Sequence, residues 1–328
     1  MIEIPVDFNK KMLEKFPHDP TIKQRKLLTL LSDFIFNENK NALFLLKGYA
    51  GTGKTTTIGT FVNSLWTAGK KSVLLAPTGR AAKVISLYSK KPAFTIHKKI
   101  YFPKKQSNGS VAFVLQPNKH TNTVFIVDEA SMIPDGRQNQ QLFDSSSLLD
   151  DLISYVYSGV NCKLIFIGDT AQLPPVKLSV SPALEQHTLT YDFHKEVTEI
   201  ELDEVMRQHE DSGILANATA LRLLLKNEDE KFQFDVDFVD IERLEDGYDI
   251  EDAIVTAYES DGVEDTAFIV RSNKRANEYN QQIRYNIRGQ ENEISAGDYI
   301  MIVKNNYFWL PESSTAGFIA NGDICEVL

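Results

Sequence analysis

Apolar residues fall along this chain in short blocks, each closed by a polar turn. Four blocks are apolar at nearly every position: Leu43-Phe44-Leu45-Leu46, the run from Ser72 to Ala76, Val124-Phe125-Ile126-Val127, and Leu164-Ile165-Phe166-Ile167. A strand that buries one face alternates apolar with polar residues, whereas one that buries both faces does not, so all four read as interior strands of a parallel sheet. Segments with helical capacity lie between them, Lys54 to Trp66 for example. Strands alternating with helices predict an α/β fold whose parallel sheet is covered on both faces. Between His97 and Thr123 the pattern changes. Asn108-Gly109, a two-residue turn signal, is flanked by Tyr101-Phe102 and by Val111 to Leu115, which predicts a β-hairpin inserted over 98–122. Further on, Ala267 to Val270 reads as a strand, Asn273 to Ile287 as a helix, and Gly297 to Val303 as the opening of a β-like section with Trp309 and Phe318 near its turns.

The 328 residues leave room for two domains. No apolar run reaches the ~20 residues of a membrane span, and Met1 to Phe16 lacks the apolar core of a secretion signal. Two cysteines, Cys162 and Cys325, make no disulfide framework; Cys162, at a strand edge, reads as inert core. A cytoplasmic protein without a membrane partner is expected. The net charge of −10 would argue against nucleic acid, but its distribution argues the reverse. From Asn39 to Val127 there are 14 basic residues and no Asp or Glu, while the remainder carries 21 basic against 45 acidic. Such asymmetry marks a polyanion surface. Lys90, Lys91, Lys98, Lys99, Lys104 and Lys105 are the expected track for a phosphate backbone, a solvated lysine face being the plainer alternative.

The first block runs into Gly48-Tyr49-Ala50-Gly51-Thr52-Gly53-Lys54-Thr55, a full match to the phosphate-binding loop between strand and helix. Glycines let backbone N–H groups turn inward around phosphate oxygens, and the helix start adds its positive end. Lys54 is placed to reach the β- and γ-phosphates and Thr55 to take a position on Mg²⁺, so a nucleoside triphosphate is expected. The third block ends in Asp128-Glu129-Ala130-Ser131-Met132. Ligands of an open parallel sheet sit at the carboxyl ends of strands. Asp128 can hold Mg²⁺ through its water shell and Glu129 can orient and deprotonate the attacking water. The fourth block leads into Gly168-Asp169-Thr170-Ala171-Gln172, where Gln172 can bond the γ-phosphate or that water.

Taken together, GYAGTGKTT, APTGRAAK, Thr95-Ile96-His97, VDEASM, GDTAQLPPV and EVMRQ, in that order from Thr21 to Gln208, resemble the superfamily 1 DNA helicases of the RecD and phage Dda type. The resemblance continues more weakly through Ile269–Arg284 and Phe318–Asp323. It implies a first RecA-like, P-loop NTPase domain over 1–197, a partial second RecA-like domain over 198–294, and the start of a small SH3-like, β-rich insertion over 295–328. It implies Lys54, Glu129, Gln172 and Arg207 as the catalytic set, with Arg207 reaching the γ-phosphate from the second domain when the cleft shuts. Gln24 would read adenine, and Gly48, Gly51, Thr52, Gly53, Thr55 and Thr56 would complete an ATP site with Mg²⁺ on Thr55 and Asp128. Pro77, Thr78 and His97 would touch the backbone of single-stranded DNA, joined by Lys98. Phe102 and Phe113 are candidates to stack at a duplex/single-strand junction, or equally to hold the hairpin to its host domain.

The later motifs of such helicases, a T-x-H-K-x-Q-G and a V-T-R segment, do not occur before Leu328, and the chain reads as a fragment with slow turnover of its own. The expected function is an ATP-dependent helicase or translocase core moving 5′→3′ on single-stranded DNA. The alternatives are a nucleotide-dependent switch that binds a protein partner and a DNA-binding fragment with an impaired ATPase.

Overall fold

The structure, a computed structural model, describes residues 4–105, 111–134, 147–204, 212–227, 231–263, 265–303, 306, 309–311, 319 and 322–328. It divides into two compact units, Met1–Met206 with Met301–Ile324, and Arg207–Ile300 with Cys325–Leu328.

The first unit opens with helices α1 (Pro5–Lys15) and α2 (Ile22–Phe36). A capping box starts α2: the Thr21 hydroxyl accepts from the Gln24 amide, and the Gln24 side chain accepts from the Thr21 amide. Then follow β1 (Ala42–Gly48), α3 (Lys54–Ser64), β2 (Lys71–Ala76), α4 (Gly79–Ser89), β3 (Ala93–Thr95), α5 (Ile96–Ile100), β4 (Tyr101–Lys105), β5 (Val111–Leu115), β6 (Thr123–Val127), α6 (Leu148–Ser158), β7 (Lys163–Gly168), α7 (Gln186–Tyr191) and β8 (Glu196–Leu202). Six strands form one sheet in the order β3-β2-β6-β7-β1-β8, every pair parallel.

Strand alternation explains why the four apolar blocks are unbroken. Phe44, Leu46, Leu74, Val124, Ile126, Ile165 and Ile167 point to one face and pack with Phe8, Leu28, Leu31 and Phe61 from α1, α2 and α3. Leu43, Leu45, Val73, Leu75, Phe125, Val127, Leu164 and Phe166 point to the other and pack with Ile96, Leu149, Leu152 and Val156 from α5 and α6. Each fully buried Leu, Ile or Phe side chain contributes about 1.5–3 kcal/mol, so this double layer fixes the strand ends that carry the chemistry. β8 pairs along its full length with β1, from Ala42↔Glu196 to Gly48↔Leu202, and so belongs to the sheet of the first unit. The expected hairpin is present as antiparallel β4 and β5; its Asn108-Gly109 turn lies outside the described residues.

The second unit contains α8 (Gly213–Asn227), α9 (Gly247–Ser260) and α10 (Asn273–Gln282), the last continued by a π-turn over Ile283–Ile287. Two short strands near its ends, β9 (Tyr299–Met301) and β10 (Ile324–Glu326), form a ribbon. The strand expected at Ala267–Val270 does not form: these described residues belong to no ladder, and Ile269 is 99% exposed, so no neighbour rewards an extended pairing there. The Arg284 guanidinium bonds Asp298 at 2.8 Å and anchors the π-turn to the loop before β9.

Candidate functional site

The phosphate-binding loop connects β1 to α3. Gly51 and Gly53 have φ of 77° and 81°, left-handed values that favour glycine. At Gly53 space also forbids a side chain, since a Cβ there would stand 2.3 Å from Gln24 Nε2. The Gln24 side chain is fully buried; its Nε2 donates to the Thr52 carbonyl at 3.0 Å and its Oε1 accepts from the Thr21 amide at 3.1 Å. The residue expected to read adenine therefore ties the start of α2 to the loop. Lys54 Nζ donates to the carbonyls of Gly48 at 2.5 Å and Tyr49 at 2.7 Å. Its ammonium lies folded onto the loop. Thr55 and Thr56 follow on the first turn of α3, where the dipole favours an anion.

At the end of β6, both carboxylate oxygens of Asp128 are held. Oδ1 accepts from the Glu129 amide at 3.0 Å and Oδ2 from the Tyr88 hydroxyl at 2.7 Å. Glu129 has φ of 54°, left-handed without being glycine, and caps the 3₁₀ turn Ala130–Met132. Such strain persists only where its surroundings impose it. Burial pushes the Glu129 carboxyl up, the Asp128 charge adds to this, and Lys54 with a hydrogen bond from Gln172 opposes it. Gln172 Oε1 in turn accepts from the Ser131 hydroxyl at 3.1 Å. Buried Asp169 shapes the Gln172 loop, its Oδ1 accepting from the Ala171 amide at 2.8 Å. Lys54, Asp128, Glu129 and Gln172 thus meet where β1, β6 and β7 end.

The donor set fits a magnesium–nucleotide complex. It offers one carboxylate and one hydroxyl, Asp128 and Thr55. Among the described residues no group of three His, Cys, Asp or Glu could hold a metal; for Mg²⁺ the remaining ligands would be phosphate oxygens and water, its usual partners. Arg207 lies outside the described residues.

Pro77 and Thr78 follow β2, and the Thr78 hydroxyl caps α4 by accepting from the Ala81 amide at 3.2 Å. Gly322, with φ of 89°, comes close: a Cβ there would stand 3.6 Å from Thr78 Cβ. His97 lies on α5, half-buried, its ring 5.8 Å from that of Tyr101, and burial pushes its pKa down to about 4. Lys98 is half-buried beside it, its backbone amide donating to Thr95 Oγ1 at 3.2 Å. The two hairpin phenylalanines separate. Phe102 pairs with Val114 and Phe113 with Pro103, which places them on opposite faces. Phe102 is 39% exposed, whereas Phe113 is 7% exposed and packed in the core. The burial of Phe113 favours the alternative in which it holds the hairpin to its host domain. Two lysines of the expected track have partners within the chain. Lys91 Nζ donates to the Val62 carbonyl at 2.7 Å, and Lys99 lies 5.5 Å from the Phe94 ring centroid. Tyr88 and Ser131 were not singled out by the sequence: neither a lone tyrosine in an amphipathic helix nor a serine beside an acidic pair carries a signal.

Residues 35–230 match the AAA domain family. The chain belongs to this family. As an AAA domain protein it resembles the ATP-dependent DNA helicase dda of Enterobacteria phage T4, with 32% identity over 180 residues, 54% of this chain and 37% of that protein. It also resembles the ATP-dependent RecD2 DNA helicase of Deinococcus radiodurans, with 32% identity over 135 residues, 41% of this chain and 16% of that protein. Among solved structures, the Pif1 helicase from Bacteroides in complex with ADP-AlF3 and ssDNA covers 90% of this chain, which covers 62% of it, at 18% identity and a TM-score of 0.43. The AAA domain chain spans less than two-fifths of either curated relative. Among its described residues no helix is long and apolar enough to cross a membrane.

Proposed function

We propose that this chain is the motor core of an ATP-dependent DNA helicase that moves on single-stranded DNA, 5′→3′ by its resemblance to RecD and Dda. The observation that carries the reading is the Ser131–Gln172–Glu129 chain of hydrogen bonds beside Lys54, because it holds a carboxylate base over a phosphate-binding loop. Lys54 and the α3 N-terminus stabilise charge on the β- and γ-phosphates, Glu129 orients and deprotonates the lytic water, and Gln172 fixes Glu129 and senses the γ-phosphate. Magnesium, held by Thr55 and Asp128, would neutralise phosphate charge. By the resemblance to RecD and Dda, Arg207 would supply a further cation, and residues 198–294 read as a partial second RecA-like domain. Gln24 braces the loop, and its adenine-reading role comes from the resemblance to RecD and Dda.

Pro77, Thr78, His97 and Lys98 contact the strand, and Phe102 stacks at the junction. The acid-free segment from Asn39 to Val127 supports a polyanion partner, and the names of the curated relatives support DNA. Equilibrium binding of a single-stranded oligonucleotide over a salt series tests this. Log affinity should fall linearly with log salt, by roughly 0.7 per phosphate contacted. Absent or salt-independent binding would favour a nucleotide switch with a protein partner.

A further inference from the structure

Tyr88 belongs to no motif in the sequence, yet its hydroxyl reaches across from α4 to Asp128 Oδ2 at 2.7 Å. The helix is held where this matters. Just beyond its end, Lys91 Nζ donates to the Val62 carbonyl of α3 at 2.7 Å and to the Ser72 hydroxyl of β2 at 3.3 Å. Gly59, in the body of α3, faces Tyr88: a Cβ there would meet the Tyr88 carbonyl at 3.4 Å and its ring at 3.8 Å, ordinary van der Waals distances. With the end of α4 anchored by Lys91, the Tyr88 O–H defines one orientation of the carboxylate it meets. The Glu129 amide fixes the other oxygen at 3.0 Å. A carboxylate has about four lone-pair sites, so each oxygen keeps one for a cation or its water.

We propose that Tyr88 is a positioning residue that, together with the Glu129 amide, presets the rotation of the Asp128 carboxylate for the divalent cation of the bound nucleotide. The proposal rests on the nucleotide site described above and names a further determinant of it. Without the hydroxyl, Asp128 turns about its one remaining anchor and meets the cation in fewer productive orientations. Partners that orient a metal ligand commonly change metal affinity by about 10–100-fold when removed.

The test is binding, not turnover. A fluorescent, non-hydrolysable ATP analogue is held with the full chain while Mg²⁺ is titrated. Tyr88→Phe, which keeps the ring against Gly59, should raise the Mg²⁺ midpoint about tenfold and leave binding in excess chelator unchanged. Tyr88→4-aminophenylalanine, which restores a donor, should return the midpoint towards wild type. A Tyr88→Phe midpoint equal to wild type, with normal Mg²⁺ dependence in both, overturns the positioning role and spares the nucleotide site. A wild-type chain that binds no analogue at any Mg²⁺ concentration overturns both. Should Tyr88→Phe lose its fold by circular dichroism, 4-aminophenylalanine is compared with 4-methylphenylalanine, of similar size but without a donor. The proposal then stands only if the donor-bearing chain alone keeps the wild-type midpoint.

Discussion

Glu129 sits in an unfavourable backbone well, with φ of 54°, beside a second carboxylate and partly out of water. Burial and the Asp128 carboxylate disfavour its charge, and Lys54 with Gln172 opposes them, a balance that suits the base role proposed for it. Glu129→Gln keeps the shape and the contact to Gln172 but cannot take a proton. Steady-state hydrolysis should fall by about 10²-fold or more while equilibrium ATP binding survives; turnover near wild type would remove Glu129 from the base role. In the wild type, the acid limb of the hydrolysis profile should lie above the ordinary carboxylate value of 4.5, since burial and Asp128 raise this group. His97 makes a separate prediction. Its pKa falls from 6.5 to about 4 on burial. The unfolded chain therefore takes up the proton first as pH falls, and stability present above pH 6.5 is lost progressively towards pH 4. Denaturant titrations across that window should show a steeper loss in wild type than in His97→Gln.

At the level of elements, the four apolar blocks were legible because a strand buried on both faces leaves an unmistakable run. β8 was harder to read. Its sequence, EVTEIEL, alternates acidic with apolar residues, as an edge strand does, and forms no unbroken apolar run. Ala267–Val270 misled in the opposite sense, since four apolar-leaning residues make a strand only where a neighbour offers a ladder. The hairpin also shows the limit of sequence: alternation predicts that Phe102 and Phe113 differ in face once the register is known, and only the Phe102↔Val114 pairing supplies that register. The distinction is measurable. Phe113→Ala should cost about 3–5 kcal/mol of stability by denaturant unfolding. Phe102→Ala should leave stability within about 0.5 kcal/mol and weaken binding to a fork-shaped duplex. Equal effects of the two on stability would contradict the facing assigned here.

For the molecule as a whole, the phosphate loop, the acidic pair and the glutamine were readable because each motif follows a buried strand, and parallel strands bring their ends together. What the sequence did not disclose is how these groups hold one another: Gln24 on the loop, Ser131 on Gln172, Tyr88 on Asp128. Such contacts join elements far apart in the chain and depend on helix placement. Under the proposed function they form one device in which nucleotide chemistry answers to a nucleic-acid strand beside β2, α4 and α5. The most direct measurement is ATP hydrolysis by this chain with and without single-stranded oligonucleotide, with Lys54→Ala as the blank. The account predicts hydrolysis that rises on adding the oligonucleotide and vanishes in Lys54→Ala, with oligonucleotide binding retained by the variant. Hydrolysis indifferent to the oligonucleotide, or surviving in Lys54→Ala, would contradict it.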